Sequence, residues 1–339
     1  MTSAAARVEQ LRRLGRLADA EREARTALAE HPQDAELLGS LAAVLLAGKR
    51  HVEGLAVAEA ASAADPGYER GHRLRALHLS RLGRHQEAVQ AGYVSVSLLP
   101  EEAVAALGYA QVLQRAGRTV DALQVARRAV ALEPESAVAH HVLGDINFDL
   151  GARRDARAAY REALRIEPQN ADVLHDLARL DALQQHPGRA LRGFVDAGVL
   201  DPGMGMVMPA ITTVLWRLSW QLRMGLAGAV LIAFVASGPD PDTAAWSVRI
   251  AATTVLGAAA LLTWWTARGL PRQTGQVLRA ALRADVPLTG TYLAIAVCLL
   301  LYAAVAVTGV AVLAAAVWVV LVLLGWFTLG VRLLRRRPR

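Results

Sequence analysis

Residue types that do chemistry are sparse in this chain of 339 residues. The sequence has no Gly-rich phosphate loop, no Gly-x-Ser-x-Gly, no His-Glu-x-x-His and no Cys-x-x-Cys. Its single cysteine, Cys298, excludes an internal disulfide and a cysteine-based metal site. We therefore predict a non-enzymatic protein that needs no cofactor.

One group of side chains has the residue types of a metal site. His141 and Asp145 are four residues apart, which places them on one face of a helix, and His175 follows His141 by 34 residues. Two histidines and a carboxylate can bind zinc. Histidines beside an acid are far commoner on protein surfaces than zinc sites, so we favour the interpretation without a metal.

The elements that carry these side chains recur at a fixed interval. Prolines stand 34 residues apart along the first 202 residues, and a proline ends a helix because it lacks the amide hydrogen that the helix needs. Stops at a constant period indicate that one small helical unit is repeated. The prolines are Pro32, Pro66, Pro100, Pro134, Pro168 and Pro202.

The residues between the prolines predict two helices in each unit. They are rich in Ala, Leu, Arg and Glu, which are strong helix formers, and a glycine near the middle of the unit indicates a helix end. These glycines lie in Gly15-Arg16, Gly48-Lys49, Gly83-Arg84, Gly117-Arg118 and Gly151-Ala152. Small residues also recur in phase, and we expect them to let neighbouring helices approach closely; they include Ala20, Gly54, Ala88, Ala122, Ala156 and Ala190.

This pattern resembles the tetratricopeptide repeat, whose motif is Trp-x2-Leu-Gly-x2-Tyr, then Ala-x3-Phe, then Pro. No repeat has the tryptophan, and Gly92 stands where the third repeat would have its aromatic residue. The fifth repeat fits best, with Leu143-Gly144, Phe148, Ala156, Tyr160, Ala163 and Pro168. The resemblance implies an all-α solenoid of about six helix-turn-helix repeats, at 1–34, 35–68, 69–102, 103–136, 137–170 and 171–203.

The resemblance also implies where a partner would bind. In the family, the first helix of each repeat builds a groove that holds a peptide or a helix of another protein. The slots of that groove correspond here to Arg70, Arg73, Leu77, Leu107, Gln111, Gln114, His141, Asp145, Asp149, His175 and Arg179. Some relatives grip a carboxylate terminus with Lys, Asn and Arg, but this chain has His141 and Asp145 where Lys and Asn would stand, which disfavours that role.

A different composition begins after Gly203. Only three acids follow, and all seven tryptophans lie in this part. Four apolar segments approach the roughly 20 residues that a helix needs to cross a bilayer. The sequence predicts an amphipathic connector at 203–217 and a four-helix transmembrane bundle at 218–339, with spans near 218–237, 250–267, 288–307 and 310–331. Because only Thr308-Gly309 separates the last two spans, one long helix is the alternative.

Charge predicts orientation and a lipid partner. Residues 1–202 hold 25 basic and 27 acidic residues, a net charge of −2, whereas residues 203–339 hold 12 and 3, a net charge of +9. Basic connections alternate with acidic or neutral ones, which predicts both termini on the cytoplasmic side of an inner membrane. We expect the positive excess to contact anionic lipid and not nucleic acid. The predicted interface residues are Arg217, Trp220, Arg223, Trp246, Trp264, Trp265, Arg268, Arg335, Arg336 and Arg337.

The combined features predict a membrane-anchored scaffold that binds a peptide or helix of a cytoplasmic partner. The near-exclusive use of arginine over lysine, with Lys49 the only lysine, indicates an actinobacterial-like source. The alternative function is a regulatory or structural subunit of a membrane transport complex, with the four-span bundle as its functional part. A membrane enzyme is disfavoured, because Asp285 is the only Asp, Glu or His at residues 268–285. The partner and the oligomeric state stay open.

Overall fold

The computed structural model describes residues 3–201, 203–236, 241–267, 274–308, 316–317 and 319–325. After a shorter first helix, the chain up to Leu200 alternates helices of 14 and 13 residues. No strand occurs among the described residues, so the prediction of an all-α solenoid is confirmed. Its helices are α1 (Ala4–Arg13), α2 (Leu17–Glu30), α3 (Ala35–Ala47), α4 (His51–Ala64), α5 (Glu69–Arg81), α6 (His85–Leu98), α7 (Ala103–Arg115), α8 (Thr119–Leu132), α9 (Ala137–Asp149), α10 (Arg153–Ile166), α11 (Ala171–Leu183) and α12 (Pro187–Leu200).

Helix boundaries follow the period of the prolines. The second helix of a repeat ends two residues before the proline, as α4 ends at Ala64 before Pro66. The first helix of the next repeat then begins three residues after the proline. Some of these starts have a side-chain cap; Asp34, for example, accepts a 3.0 Å hydrogen bond from the amide of Leu37.

The turn inside each repeat contains one residue with a left-handed backbone. Lys49 fills this position in the second repeat, with φ 59°, and Gln185 fills it in the sixth, with φ 62°. Gly48 is the C-cap of α3, with φ −75°, so the left-handed conformation falls on the lysine that follows it. The other four repeats place glycine there, which has no β-carbon to oppose a positive φ; these are Gly15, Gly83, Gly117 and Gly151, with φ from 72° to 79°.

Small residues at the helix crossings are buried, as expected from their spacing. The slot twelve residues before the proline holds a fully buried alanine in every repeat but the second, which has Gly54. The imidazole of His78, from the next repeat, lies against the backbone of Gly54, where a β-carbon would overlap the ring. Most other repeats have an aliphatic residue in the slot of His78, namely Val44, Val112, Ile146 and Leu180. The glycine therefore makes room for the histidine.

His78 is completely buried and keeps one hydrogen bond. Its Nε2 lies 3.1 Å from the carbonyl oxygen of Ala42, so Nε2 carries the hydrogen and donates it. Within the described part of the chain, Nδ1 has no hydrogen-bond partner. The ring of His51 lies 5.7 Å away. Burial is the main cause that lowers the pKa of His78, and His51 adds to it, while the bond to Ala42 acts in the opposite direction.

The aromatic residue missing from the third repeat is replaced by one from the fourth. A β-carbon at Gly92 would lie 2.8 Å from the ring of Tyr109, so that ring occupies the space of the missing side chain. Tyr109 also meets Tyr93 edge to face, with ring centroids 6.5 Å apart. The departure from the motif at Gly92 is thus compensated by packing between repeats.

The chain divides into two compact units, residues 1–168 and 169–339. The domain boundary near residue 203 stays a prediction, and the second compact unit includes the sixth repeat. The physical reason is apolar packing, because Leu191 and Phe194 of α12 share one buried cluster with Ile211 of α13. The second unit includes α11 and α12, then α13 (Val207–Ala236), α14 (Pro241–Ala267), α15 (Thr274–Ala284) and α16 (Val286–Thr308).

The predicted connector and the first predicted span form one continuous helix, α13. Its first turns are amphipathic as expected, with Ile211, Val214 and Leu215 buried and Thr213 and Arg217 exposed. The buried side belongs to the cluster of α12, to which α15 also contributes. The amphipathic pattern of the connector is therefore explained by packing within the second unit.

One helix of the described chain, α16, has the length and apolar composition of a membrane span. α13 and α14 contain the first two predicted spans, but they do not meet the same standard over the residues described, so a bundle of four transmembrane helices is not supported. The fourth predicted span, 310–331, is described only at 316–317 and 319–325, and Gly309 lies outside the described residues. The connection between the last two predicted spans therefore lies outside the described residues, and so does the choice between a hairpin and one long helix.

The long helices of the second unit are tied together by polar contacts to backbone carbonyls. Tyr302 of α16 donates to the carbonyl of Leu226 in α13 at 2.9 Å. Arg249 of α14 donates to the carbonyl of Thr308 at 3.1 Å. Thr308 ends α16, where the helix dipole favours a cation. Arg249, which directly precedes the span predicted at 250–267, thus caps a neighbouring helix.

Asp285 joins α13 to the start of α16. Its carboxylate caps α16 by accepting from the amide of Leu288 at 3.2 Å, and it accepts from the indole Nε1 of Trp216 at 3.0 Å. The side chain is buried. The one acid that could have marked an enzyme site at residues 268–285 therefore has structural partners.

We expect Lys49→Gly to raise the free energy of unfolding by about 0.5–1 kcal/mol, because glycine removes the steric cost of a left-handed backbone. Urea denaturation followed by circular dichroism measures the change. Gly117→Ala is the matched reverse change and should lower the free energy by about 1 kcal/mol. A Lys49→Gly variant no more stable than the parent would contradict this account of the turn.

We expect Gly54→Ala alone to destabilise the solenoid by about 1–3 kcal/mol, because the new methyl group overlaps the His78 ring. His78→Val added to Gly54→Ala should restore the stability, since it recreates the pairing of the other repeats. The parent should lose stability as pH falls below about 6.5, because the unfolded state then binds the proton that buried His78 resists. Unfolding curves across this pH range test both points; a double variant with the parent's pH dependence would refute the assignment to His78.

Candidate functional site

The first helices of repeats two to five, α3, α5, α7 and α9, pack side by side in the first unit. Because their register is shared, equivalent slots align from one helix to the next. Of the groove residues predicted in this unit, Leu107 is buried, Asp149 is exposed and the others are half-buried. We call this set the A-helix face; it comprises Arg70, Arg73, Leu77, Leu107, Gln111, Gln114, His141, Asp145 and Asp149.

Arg70 is engaged by an acid of the first repeat. Its Nη2 lies 3.1 Å from a carboxylate oxygen of Glu9, so the pair connects α5 to α1. Glu9 also accepts from Arg12 at 2.6 Å. The hydrogen bond from Arg12 is the largest cause that lowers the pKa of Glu9 to about 2, and Arg70 contributes to the same shift. The carboxylate is therefore ionised, and Arg70 is held in place by it.

Arg73 neutralises a buried carboxylate of its own helix. Glu69 is 6% exposed, and its Oε1 accepts from Arg73 Nε at 2.9 Å and from Ser95 Oγ at 2.6 Å. The aliphatic stem of Arg73 lies against Gly108, where a β-carbon would be 2.8 Å from it. Arg73 is thus fixed on both sides, and its charge is already paired.

The sequence prediction missed Glu69 and Ser95, although a signal was present. Both stand in slots where other repeats have alanine, such as Ala103 for Glu69 and Ala129 for Ser95. Two polar departures from the same small-residue pattern in one repeat indicate a polar pair in the core. The hydrogen bond between them is that pair.

The polar side chains of the fourth and fifth repeats form two local arrangements. Gln114 of α7 donates to Asp149 of α9 at 2.6 Å, which joins consecutive repeats on the A-helix face. Asp145 accepts from the hydroxyl of Tyr160 at 2.8 Å. His141 lies 3.7 Å from the same carboxylate oxygen, and its ring centroid is 6.0 Å from that of Tyr160. Tyr160, the aromatic residue of the repeat motif, therefore orients the carboxylate of Asp145.

The two remaining predicted groove residues, His175 and Arg179, lie in the second unit. His175 is buried, and its ring centroid is 5.2 Å from that of Phe194. Arg179 is exposed, and its Nη2 is 3.6 Å from Asp176. The sequence predicted His175 on an exposed surface; the structure places it in the core between α11 and α12.

The predicted membrane-interface residues have mixed environments. Trp220, Trp246 and Trp264 are exposed. Arg217 is exposed and donates to the carbonyl of Ala182 at 2.7 Å. Arg223 is instead buried, with Nε 3.4 Å from the carbonyl of Ser219. Trp265 lies in α14, and Arg268, Arg335, Arg336 and Arg337 fall outside the described residues.

Two family models, both described as tetratricopeptide repeat, match residues 11–77 and 103–146. Residues 11–77 and 103–146 are therefore tetratricopeptide repeats, and the resemblance found in the sequence is confirmed for these two stretches. The interval between the matches begins at His78 and contains Gly92 and Ser95. These are positions where the third repeat departs from the pattern of the others.

Several solved structures are similar to this chain. A tetratricopeptide repeat protein from Parabacteroides merdae ATCC 43184 is 16% identical, with 62% of this chain and 82% of that chain covered and a TM-score of 0.54. The APC/C hetero-tetramer Cut9-Hcn1 is 14% identical, with 82% of this chain and 48% of that chain covered and a TM-score of 0.56. This chain thus spans about half the length of the latter.

A thermophilic TPR protein of Thermus thermophilus is 24% identical, with 62% of this chain and 95% of that chain covered and a TM-score of 0.39. At these identities, the Parabacteroides and Cut9-Hcn1 structures show the fold alone. No curated protein matches the chain.

We expect Tyr160→Phe to lower the free energy of unfolding by about 1 kcal/mol, because it removes the hydrogen bond to Asp145 while it keeps the ring that packs on Gly144. Tyr93→Phe is the matched control, since Tyr93 is exposed, and it should change stability by less than about 0.5 kcal/mol. Urea unfolding measures both. Equal losses in the two variants would contradict a specific contribution of the bond to Asp145.

Proposed function

We propose that this tetratricopeptide-repeat protein is a membrane-anchored scaffold that binds an extended peptide or a helix of a partner protein on the A-helix face. Tetratricopeptide-repeat proteins are protein-interaction scaffolds, and the chain has no catalytic motif. The proposal adds two specific points, a binding surface in the first unit and an anchor in the second.

The binding surface is supported by exposed apolar residues beside fixed polar ones. Val104 and Val138 occupy the same slot of α7 and α9 and are 41% and 51% exposed. Gln111 is half-buried on the same face. Apolar contacts flanked by amide donors and acceptors suit the side chains and the backbone of a bound peptide. Arg70 and Arg73 are already ion-paired with Glu9 and Glu69. They would shape the surface and keep these ion pairs when a peptide binds.

The anchor rests on a single observation, the distribution of apolar residues around α16. One side is buried within the unit and includes Ile295, Cys298 and Tyr302. The other side is also apolar, yet it is exposed, at Leu293, Val297, Leu300 and Val307. A helix that is apolar all round belongs in a core or in a membrane, and the exposed stripe follows the spacing of one helix face. Lipid contact is the environment that we propose for it.

Crosslinking in native membranes tests the binding surface. Photoreactive residues placed at Val104, Gln111 and Val138 should trap one distinct protein. Control residues at Arg127 and Arg161, which are exposed on the second helices α8 and α10, should not trap it. The same set of crosslinked proteins from both groups of positions would overturn the proposal.

Alkaline extraction of membranes tests the anchor separately. We expect the parent chain to stay in the membrane pellet. Leu293→Arg with Leu300→Arg should shift it to the supernatant, because a charge at the lipid-facing side of a span costs several kcal/mol. Leu293→Ala with Leu300→Ala is the control and should remain in the pellet. Release of the parent chain itself would remove the anchor from the proposal.

A further inference from the structure

Three cations of the first unit lie at the ends of neighbouring helices and have no ion pair among the described residues. Most arginines of the solenoid form ion pairs; the arginine that precedes the second helix of a repeat, for example, pairs with the acid three residues later at Arg16, Arg50, Arg84 and Arg118. Lys49, Arg81 and Arg115, by contrast, have no ion pair or hydrogen-bond partner within the described chain.

The repeat register brings these cations to one edge. Arg81 and Arg115 are the last residues of α5 and α7, which pack side by side, so they occupy the same slot in consecutive repeats. Lys49 lies in the turn before α4, and His51 is the first residue of α4. His51 is held against the buried His78, with ring centroids 5.7 Å apart. The four residues therefore lie at the edge of the first unit where the first helix of each repeat ends and the second helix begins.

The electrostatics show mutual repulsion at this edge. Burial is the largest cause that lowers the pKa of His51, followed by the charges of Arg81, Arg115 and Lys49. The pKa of Arg81 is lowered by burial and by Arg115. No carboxylate acts on either group. Glu53, the acid of the first turn of α4, is engaged by Arg50. An anion placed among these groups would relieve the repulsion.

We propose that Lys49, His51, Arg81 and Arg115 form a site that binds an oxoanion, either a carboxylate or a phosphate group. Guanidinium groups match the paired oxygens of these anions in planar, bidentate geometry. The first amides of α4 add donors, because α4 has no side-chain cap. Lys49 keeps a cation at a backbone position where most other repeats have glycine. Asp149 ends α9 in the equivalent slot of the next repeat, where its carboxylate accepts from Gln114. The site stands whether or not the A-helix face binds a peptide.

Calorimetric titration of the purified full-length chain with sodium sulfate, at constant ionic strength, tests the site. We expect saturable binding that Arg81→Gln with Arg115→Gln weakens about tenfold or more. Arg127→Gln with Arg161→Gln removes the same charge at exposed positions of α8 and α10, and it should weaken binding less than about twofold. Equal weakening in the two variants, or no saturable binding by the parent, would overturn the proposal. Thermal unfolding of each variant checks that the fold is retained.

The histidine supplies a second readout. Sulfate keeps its charge near neutral pH, whereas an anion bound beside His51 would favour the protonated form of its ring. Affinity for sulfate should therefore rise as the pH falls, and His51→Gln should abolish that rise. A pH dependence unchanged in His51→Gln would remove His51 from the site.

Two titrants distinguish the source of the anion. Competition of sulfate by a glutamate-rich peptide would identify the acidic side chains of a bound partner as the natural ligand. Binding of inorganic phosphate without competition by the peptide would identify a free oxoanion. Either result supports the site, and failure of both ligands to compete with sulfate would refute it.

Discussion

The structure depends on how closely two helices can approach, and that distance is set by the side chain at their crossing. Alanine fills most of these crossings and is fully buried there. A methyl group excludes water while it lets the backbones come near, so each helix can bury its leucines and valines against both neighbours. The fixed length of the two helices and of their turns then reproduces the same crossing in the next repeat, and the stack follows.

The third repeat shows what happens when the crossing residue changes. His78 takes the place of an aliphatic side chain, and Gly54 gives up its methyl group to admit the ring. Glu69 takes the place of an alanine, and it is neutralised by Arg73 and by Ser95. Each departure has its compensation in an adjacent helix. Packing therefore constrains pairs of residues and not single positions. The family matches leave out residues 78–102, although the helices continue there.

The regular part of the fold could be predicted from the sequence, because helix ends are local. Proline and the turn glycines fix each boundary within a few residues of themselves. The pairings on the A-helix face could not be predicted, since Arg70 meets Glu9, 61 residues away, across an intervening repeat. Exposure was also misjudged at His175, which the repeat register places on a surface and which the structure buries beside Phe194. The packing of α12 against α13 could not be predicted for a related reason, because composition records polarity and does not record which apolar faces meet.

The apolar side of the last repeat is not exposed to solvent. The apolar side of α12 is covered by α13 of the same chain, through Ile211, Val214 and Leu215. A repeat that lacks such a cover offers the surface on which a further repeat, or the first repeat of another copy, would stack. Head-to-tail addition of copies needs that surface free. With α13 in place, growth into a filament through this end is blocked, and α13 acts as the terminator of the array.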